Sequence, residues 1–352
     1  MKSRLSPDIF NIPVREIKNG LFSDIYFLHT REILKQDNYH PRVMMQIFQR
    51  QHALLCGIDE AIAIIKKCAD NPENLVVKAL HDGDEIRPWE TVLTIEGDLA
   101  DFSHLETVYL GVIARQTKIA TNVRKIVKAA SGKPVLFFPS RFDHYSVQQA
   151  DGYAAHIGGV AGVSTPANGV SFGEKALGTI PHALIAAYNG DSLRATKAFD
   201  KYVDKSINRV ALVDFDNDCV KTSLQIAREF KDKLWAVRLD TSDTVVDASV
   251  LPLMGRIKPT GVCPQLVHNV RAALDAEGFN HVKIMVSGGF NVERIVHFEK
   301  AHVPVDTYAV GASLFNSNIN FTADVVMVDN KPCSKFGRQY LPNPRLETVD
   351  MK

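Results

Sequence analysis

The chain has 352 residues, 45% of them hydrophobic and 23% charged, and its 41 Lys and Arg against 40 Asp and Glu leave a formal net charge of +1. That balance lacks the cationic excess on which nucleic-acid or anionic-membrane binding rests, so any anion is held by local groups. Five cysteines, Cys56, Cys68, Cys219, Cys263 and Cys333, form no CxxC pair, and no apolar run reaches membrane-spanning length; we expect a soluble cytoplasmic protein with reduced thiols.

Apolar positions at helical spacing run through residues 42–66 (Val43, Ile47, Leu54, Leu55, Ile58, Ile62, Ile65) until Asn-Pro-Glu-Asn at 71–74 stops them. The period then changes. The stretch LVVKALHDGDEIRPWETVLTIEGDL at 75–99 reads as short strands broken by Asp-Gly and Arg-Pro turns, which makes the first hundred residues a small α+β layer. Leu105 to Ala130 returns to one long helical pattern.

From residue 132 the chain becomes rhythmic. VLFFPSR, VAGVST, RVALVDFD, LWAVRLD, VKIMVSGG and VDTYAVGAS are short apolar runs, each followed by a polar pair or glycine and then a helical segment. Parallel strands with helical crossovers have this alternation, and a barrel-like β/α domain is the economical reading. The final thirty residues break the rhythm and read as strands returning to the small domain.

In a β/α barrel the C-terminal strand ends face the active site, so the tails of these runs are the candidate chemistry. They supply Ser140, Arg141, Ser164, Thr165, Thr179, His182, Asp214, Asp216, Arg238, Asp240, Ser287 to Gly289, and Gly311. SGGFNVERI follows a strand and opens a helix, so Gly288 and Gly289 let backbone N–H groups approach an anion, and Gly311 in AVGASLF offers a second such turn. Paired loops after the last two strands are the phosphate site expected of a barrel.

Arg238 and Asp240 share a strand face, either pairing with each other or meeting a phosphate and ribose hydroxyls. Asp214 and Asp216 read either as helix caps or as carboxylates reaching Mg²⁺ through water. In LGTIPHALIAAY, residues 177–188, Pro181 fits the first helical position and sets His182 in the N-terminal turn, where the helix dipole disfavours imidazolium and stabilises a phosphoryl group on the ring.

The motifs SRFDHYSVQQADGYAAHIGGVAGVST, GTIPHAL, VRLDT, VSGGFN, GVCPQLV and FTADVVMVDNKPCSKFGR, in this order, resemble nicotinate phosphoribosyltransferase of the type II phosphoribosyltransferase family. The resemblance runs from SDIYF near the start to KPCSKFGR. It implies an α/β protein: an incomplete, TIM-like β/α barrel with an N-terminal α+β sandwich domain joined by the C-terminal tail, bounded at 1–115, 116–322 and 323–352.

It further implies a homodimer with interface active sites that forms nicotinate mononucleotide and pyrophosphate from nicotinate and phosphoribosyl pyrophosphate. Mg²⁺ is the cofactor, and ATP is a co-substrate hydrolysed through a phosphohistidine. His182 matches the phosphohistidine position, Tyr26 the aromatic that stacks on the pyridine ring from the neighbouring subunit, and Arg141, Asp214, Arg238 and Asp240 ligand-binding positions. The chain departs from the family in having Arg141, Phe142, Asp143, His144 and Tyr145 where two arginines and a His-Pro are usual, and Thr241-Ser242 where Ser-Gly is common. A cysteine-rich zinc knuckle is absent, so no structural zinc is expected.

Ser164 is expected to donate to a substrate carboxylate and so to favour nicotinate over nicotinamide. The alternatives are a nicotinamide phosphoribosyltransferase, a sugar-phosphate lyase with Lys258 as Schiff-base amine, and a catalytically silent nucleotide-binding protein.

Overall fold

The computed structural model of the chain describes residues 3–173 and 176–352. In chain order, β1 (Arg42–Phe48), β2 (Ala53–Leu54), β3 (Val76–Ala79), β4 (Glu85–Ile86) and β5 (Thr91–Asp98) precede a 24-residue helix, Glu106–Ala129. The strands β6 (Val135–Phe137), β7 (Gly162–Val163), β8 (Arg209–Leu212), β9 (Leu234–Leu239), β10 (Lys283–Val286) and β11 (Thr307–Val310) follow it. The chain closes with β12 (Thr322–Val328), β13 (Lys331–Pro332) and β14 (Glu347–Thr348).

The chain divides into two compact units, Met1–Asn122 with Ser317–Lys352, and Val123–Asn316. In the first unit the described residues form an antiparallel sheet in the order β13-β12-β1-β5-β3-β14, which brings the C-terminal segment beside β1 (Met45 opposite Val325). Its core joins Val43, Met45 and Ile47 from β1 to Ile58, Ile62 and Ile65 of the helix Ile58–Cys68.

The helical reading of 42–66 is therefore corrected. Arg42–Phe48 and Ala53–Leu54 are strands, and the helix begins only at Ile58. Val43 and Ile47 are four apart, which satisfies a helical period and a strand period alike; Met45 between them, also buried, decides for the strand. The other expected elements hold: strands within 75–99, the long helix after Leu105, and a strand in each of the six rhythmic runs.

In the second unit the described strands form a parallel sheet in the order β7-β6-β11-β10-β9-β8, curled into a half-barrel. Parallel strands need crossovers, and helices such as Cys219–Phe230, Pro264–Ala276 and Val292–Lys300 supply them, each burying one apolar stripe. Cys56, Cys68, Cys219 and Cys263 are buried free thiols, and Cys333 is an exposed one. Among the described residues no helix is long and apolar enough to cross a membrane.

Candidate active site

Period-two alternation builds the site. Leu136 of β6, Val210 of β8, Ala236 of β9, Met285 of β10 and Ala309 of β11 make one buried apolar layer in the half-barrel. Two residues further along four of these strands, the same face presents Phe138, Arg238, Ser287 and Gly311, which all line a cavity of about 640 Å³ at the C-terminal strand ends. An apolar floor thus carries a polar rim.

Arg141, Ser164, Thr165, Arg238 and Asp240 line this cavity, together with the glycine loops at Ser287 to Gly289 and at Gly311. Gly288 and Gly289 have φ of +84° and +71°, the left-handed region that side-chain-bearing residues avoid. Arg294, in the helix that follows, donates from Nη1 to the Gly288 carbonyl and from Nη2 to the Val262 carbonyl, each at 2.7 Å, and its guanidinium lies 4.2 Å from the Phe290 ring centroid. With that carbonyl tied back, the backbone N–H groups of Gly288 and Gly289 have no partner among the described residues. They are available to an anion.

Asp240 is oriented by Ser287, whose Oγ donates to its Oδ1 at 2.7 Å. Arg238 Nη2 lies 3.5 Å from Asp240 Oδ2, while its Nη1 donates to Thr179 Oγ1. Burial draws the Arg238 guanidinium below its ordinary pKa, against the pull of Asp240 and then Asp214. Arg141 is exposed, rests 5.2 Å from the Phe142 ring centroid, and has no ion-pair partner among the described residues.

His182 opens the helix His182–Ala187. Pro181 is the residue before it, with φ −87° and ψ 155°, so the proline is the cap rather than the first helical residue. The physical reason is the extended backbone at 181, which stops short of helical geometry. His182 Nε2 meets Asp214 Oδ2 at 3.0 Å, with the histidine 45% and the aspartate 6% exposed in their side chains. Burial raises the Asp214 carboxyl above the usual range, opposed by its bond to His182. Its Oδ1 is buried with no partner among the described residues.

Neither Asp214 nor Asp216 caps a helix. Asp218 does so, accepting from Lys221 N at 3.1 Å, and Asp216 is exposed. His144 is not among the cavity residues; its Nδ1 lies 2.7 Å from Ser146 Oγ and its ring 4.4 Å from that of Tyr145. Tyr26 belongs to the first unit, is 58% exposed, and donates to Asp24 Oδ2 at 3.1 Å. Lys258 is exposed and outside the cavity lining, which leaves the Schiff-base reading without a site.

Sequence reasoning missed two supports. Asn168 is fully buried; its Nδ2 donates to the Gln148 carbonyl at 2.7 Å, and its Oδ1 accepts from Ser140 Oγ at 2.7 Å and Thr165 Oγ1 at 2.8 Å. Ser140 Oγ in turn lies 3.3 Å from Ser164 Oγ. Arg294 is the other. An Asn-x-x-Arg start to the helix after a Gly-Gly loop was its only sequence cue.

Residues 24–117 match the family model described as quinolinate phosphoribosyl transferase, N-terminal domain. Over 335 residues the chain is 23% identical to a nicotinate phosphoribosyltransferase of Bacillus subtilis (strain 168), covering 85% of this chain and 64% of that protein. It is 28% identical to one from Mycobacterium tuberculosis, covering 72% and 54%. The chain therefore spans between about half and two thirds of the length of these curated relatives. Among solved structures, a nicotinate-nucleotide pyrophosphorylase from Pyrococcus furiosus is 33% identical and superposes with a TM-score of 0.82 over 97% of this chain and 85% of that one. Human nicotinic acid phosphoribosyltransferase, at 15% identity and a TM-score of 0.68 over 90% and 77%, shares the fold.

Proposed function

The chain belongs to the family of that Pyrococcus furiosus nicotinate-nucleotide pyrophosphorylase, and from that premise, together with its likeness to nicotinate phosphoribosyltransferases, we propose that it joins nicotinate to phosphoribosyl pyrophosphate, releasing pyrophosphate, in NAD salvage. The observation that carries the reading is the single cavity in which two glycine loops, Arg141, Arg238 and Asp240 converge. The loop N–H groups at Gly288 and Gly289 take the 5′-phosphate, and Asp240, held by Ser287, accepts from ribose hydroxyls. The pyridine nitrogen is itself the nucleophile. The residues need only align it with the ribose C1 and stabilise the departing pyrophosphate, so no general base is assigned.

Among the described residues Arg141 is the one uncommitted cation lining the cavity, which suits a monocarboxylate. The dicarboxylate quinolinate is the second reading, favoured by the match of residues 24–117. Release of pyrophosphate with nicotinate, nicotinamide and quinolinate side by side separates them, because quinolinate also releases CO₂. Turnover on nicotinate alone supports the proposal, and CO₂ release above turnover on nicotinate overturns it.

Mg²⁺ is part of this proposal. Among the described residues no three His, Cys, Asp or Glu side chains gather into a metal site, and the orphaned Oδ1 of Asp214 is a single buried acceptor. This sparse donor set fits Mg²⁺ that takes most of its oxygens from pyrophosphate and water, with Asp214 and then Asp216 as its protein contacts. When bound, the ion neutralises charge on the leaving pyrophosphate.

ATP coupling through His182 is likewise proposed. Asp214 at 3.0 Å accepts from Nε2–H, which leaves the lone pair on Nδ1 as the phosphoryl acceptor. A homodimer completes the reading. Leu21, Phe22, Ile25 and Tyr26 are 69%, 49%, 62% and 58% exposed, and the helix Ile25–Gln36 buries none of its residues. Such an apolar face favours a second copy of the chain, which would bring Tyr26 to the neighbour's pyridine ring.

A further inference from the structure

The second unit has another cavity, of about 550 Å³, lined by residues that begin strands rather than end them. Arg209 opens β8, Leu234 and Trp235 open β9, and His281 precedes β10. It lies at the opposite end of the parallel sheet from the candidate active site.

Trp235 is placed there by a β-bulge. Arg209 pairs with Leu234 and Val210 with Ala236, so Trp235 is an extra residue in β9 with no partner on β8. Strict alternation would set Trp235 and Ala236 on opposite faces; the bulge lets the Trp235 ring pack against the same apolar layer as Ala236. The ring is only partly buried and lines the cavity, with Lys283 Nζ 4.9 Å from its centroid.

The cations around it are not equivalent. Arg209 is consumed by Asp200 Oδ1 at 2.8 Å and by the carbonyls of Asp204 and Val203, and Lys205 also pairs with Asp200, at 3.1 Å. Lys233 and Lys283 have no anionic partner among the described residues. Against them the cavity sets, among the described residues, one uncommitted carboxylate, Asp232. An aromatic ring with one ammonium group, Lys283, already set against it and a second, Lys233, on the cavity wall suits a planar ring bearing a phosphate.

We propose that this cavity is a second nucleotide site, with the base on Trp235 and the phosphate on Lys233 and Lys283. It is independent of the reaction assigned to the first cavity.

The chain has two tryptophans, so Trp89→Phe leaves Trp235 as the sole indole reporter. Titration of that protein with AMP, in the presence of saturating phosphoribosyl pyrophosphate to fill the first cavity, is expected to change Trp235 emission saturably. Lys233→Glu and Lys283→Glu are each expected to weaken binding at least tenfold. Lys233 is exposed and makes no side-chain hydrogen bond or ion pair among the described residues, so its variant tests the site without threatening the fold. A linear or absent response overturns the proposal, as does a saturable one that Lys233→Glu leaves unchanged. A response seen without phosphoribosyl pyrophosphate and lost with it assigns AMP to the first cavity and equally overturns it.

Discussion

Gly289 offers the sharpest test of the phosphate loop. At φ +71° an L-residue pays about 1–2 kcal/mol that glycine does not, while a Cβ would sit 3.6 Å from Arg294 Nη1, an ordinary contact. Gly289→Ala therefore measures backbone strain alone, and about 1 kcal/mol of stability is expected to be lost. Gly289→Val adds two methyls to a loop whose N–H groups must approach an anion. Its KM for phosphoribosyl pyrophosphate is expected to rise at least tenfold, about 1.4 kcal/mol, with the KM for nicotinate far less affected. The assay is initial-rate pyrophosphate release at saturating nicotinate, with thermal unfolding as a control. A folded Gly289→Val protein whose KM stays within twofold of the parent would refute the assignment. Arg294→Met, which frees the Gly288 carbonyl without touching substrate, is expected to raise the same KM more modestly.

Incubation with γ-labelled ATP should give an acid-labile, alkali-stable label that His182→Ala abolishes; equal labelling of the variant would exclude His182. The His104 imidazole is drawn down to about 4 by burial and then by Arg31. Its unfolded form binds the proton first, so stability should fall by up to about 3 kcal/mol from pH 6.5 to 4, and His104→Gln should flatten that slope in urea titrations. Glu106 is the opposite case. Burial, then Asp324 and Asp24, raise it to about 7, so its stabilising share is full below pH 4.5 and lost as pH passes 7; Glu106→Gln should be more stable than the parent at pH 8, and an unchanged midpoint there would contradict this. Ser164→Asp should lose kcat/KM on nicotinate at least a hundredfold, about 2.7 kcal/mol, and much less on nicotinamide; equal losses would remove Ser164 from the recognition of the acid.

What the sequence discloses and what it hides divide along a physical line. The strand tails were legible because a period of two is local: once LWAVRLD or VKIMVSGG is a strand, its last inward residue is fixed, and Arg238, Asp240 and Ser287 follow, whereas Arg141 lies in the turn Ser140–Phe142 beyond its strand. Partnerships across the sheet are not local. Asp214 had two readings, cap or metal ligand, and the capping one is removed only because Asp218 occupies that place. Its bond to His182 spans 32 residues of chain, and no spacing rule could have joined them.

The supports were hidden for the same reason. Asn168 looks like any turn residue in TPANG until its amide is found between Gln148, Ser140 and Thr165. Trp235 looks like an ordinary outward strand residue until the register skips it. In both cases the informative quantity is a hydrogen-bond count or a register, set by packing between segments. A residue's type and local period therefore nominate it for chemistry, and the groups that orient it must be found in three dimensions. Asp240 shows the order of inference: its carboxylate is readable from the strand, but its fitness to accept from a ribose depends on Ser287, 47 residues away, holding the other oxygen.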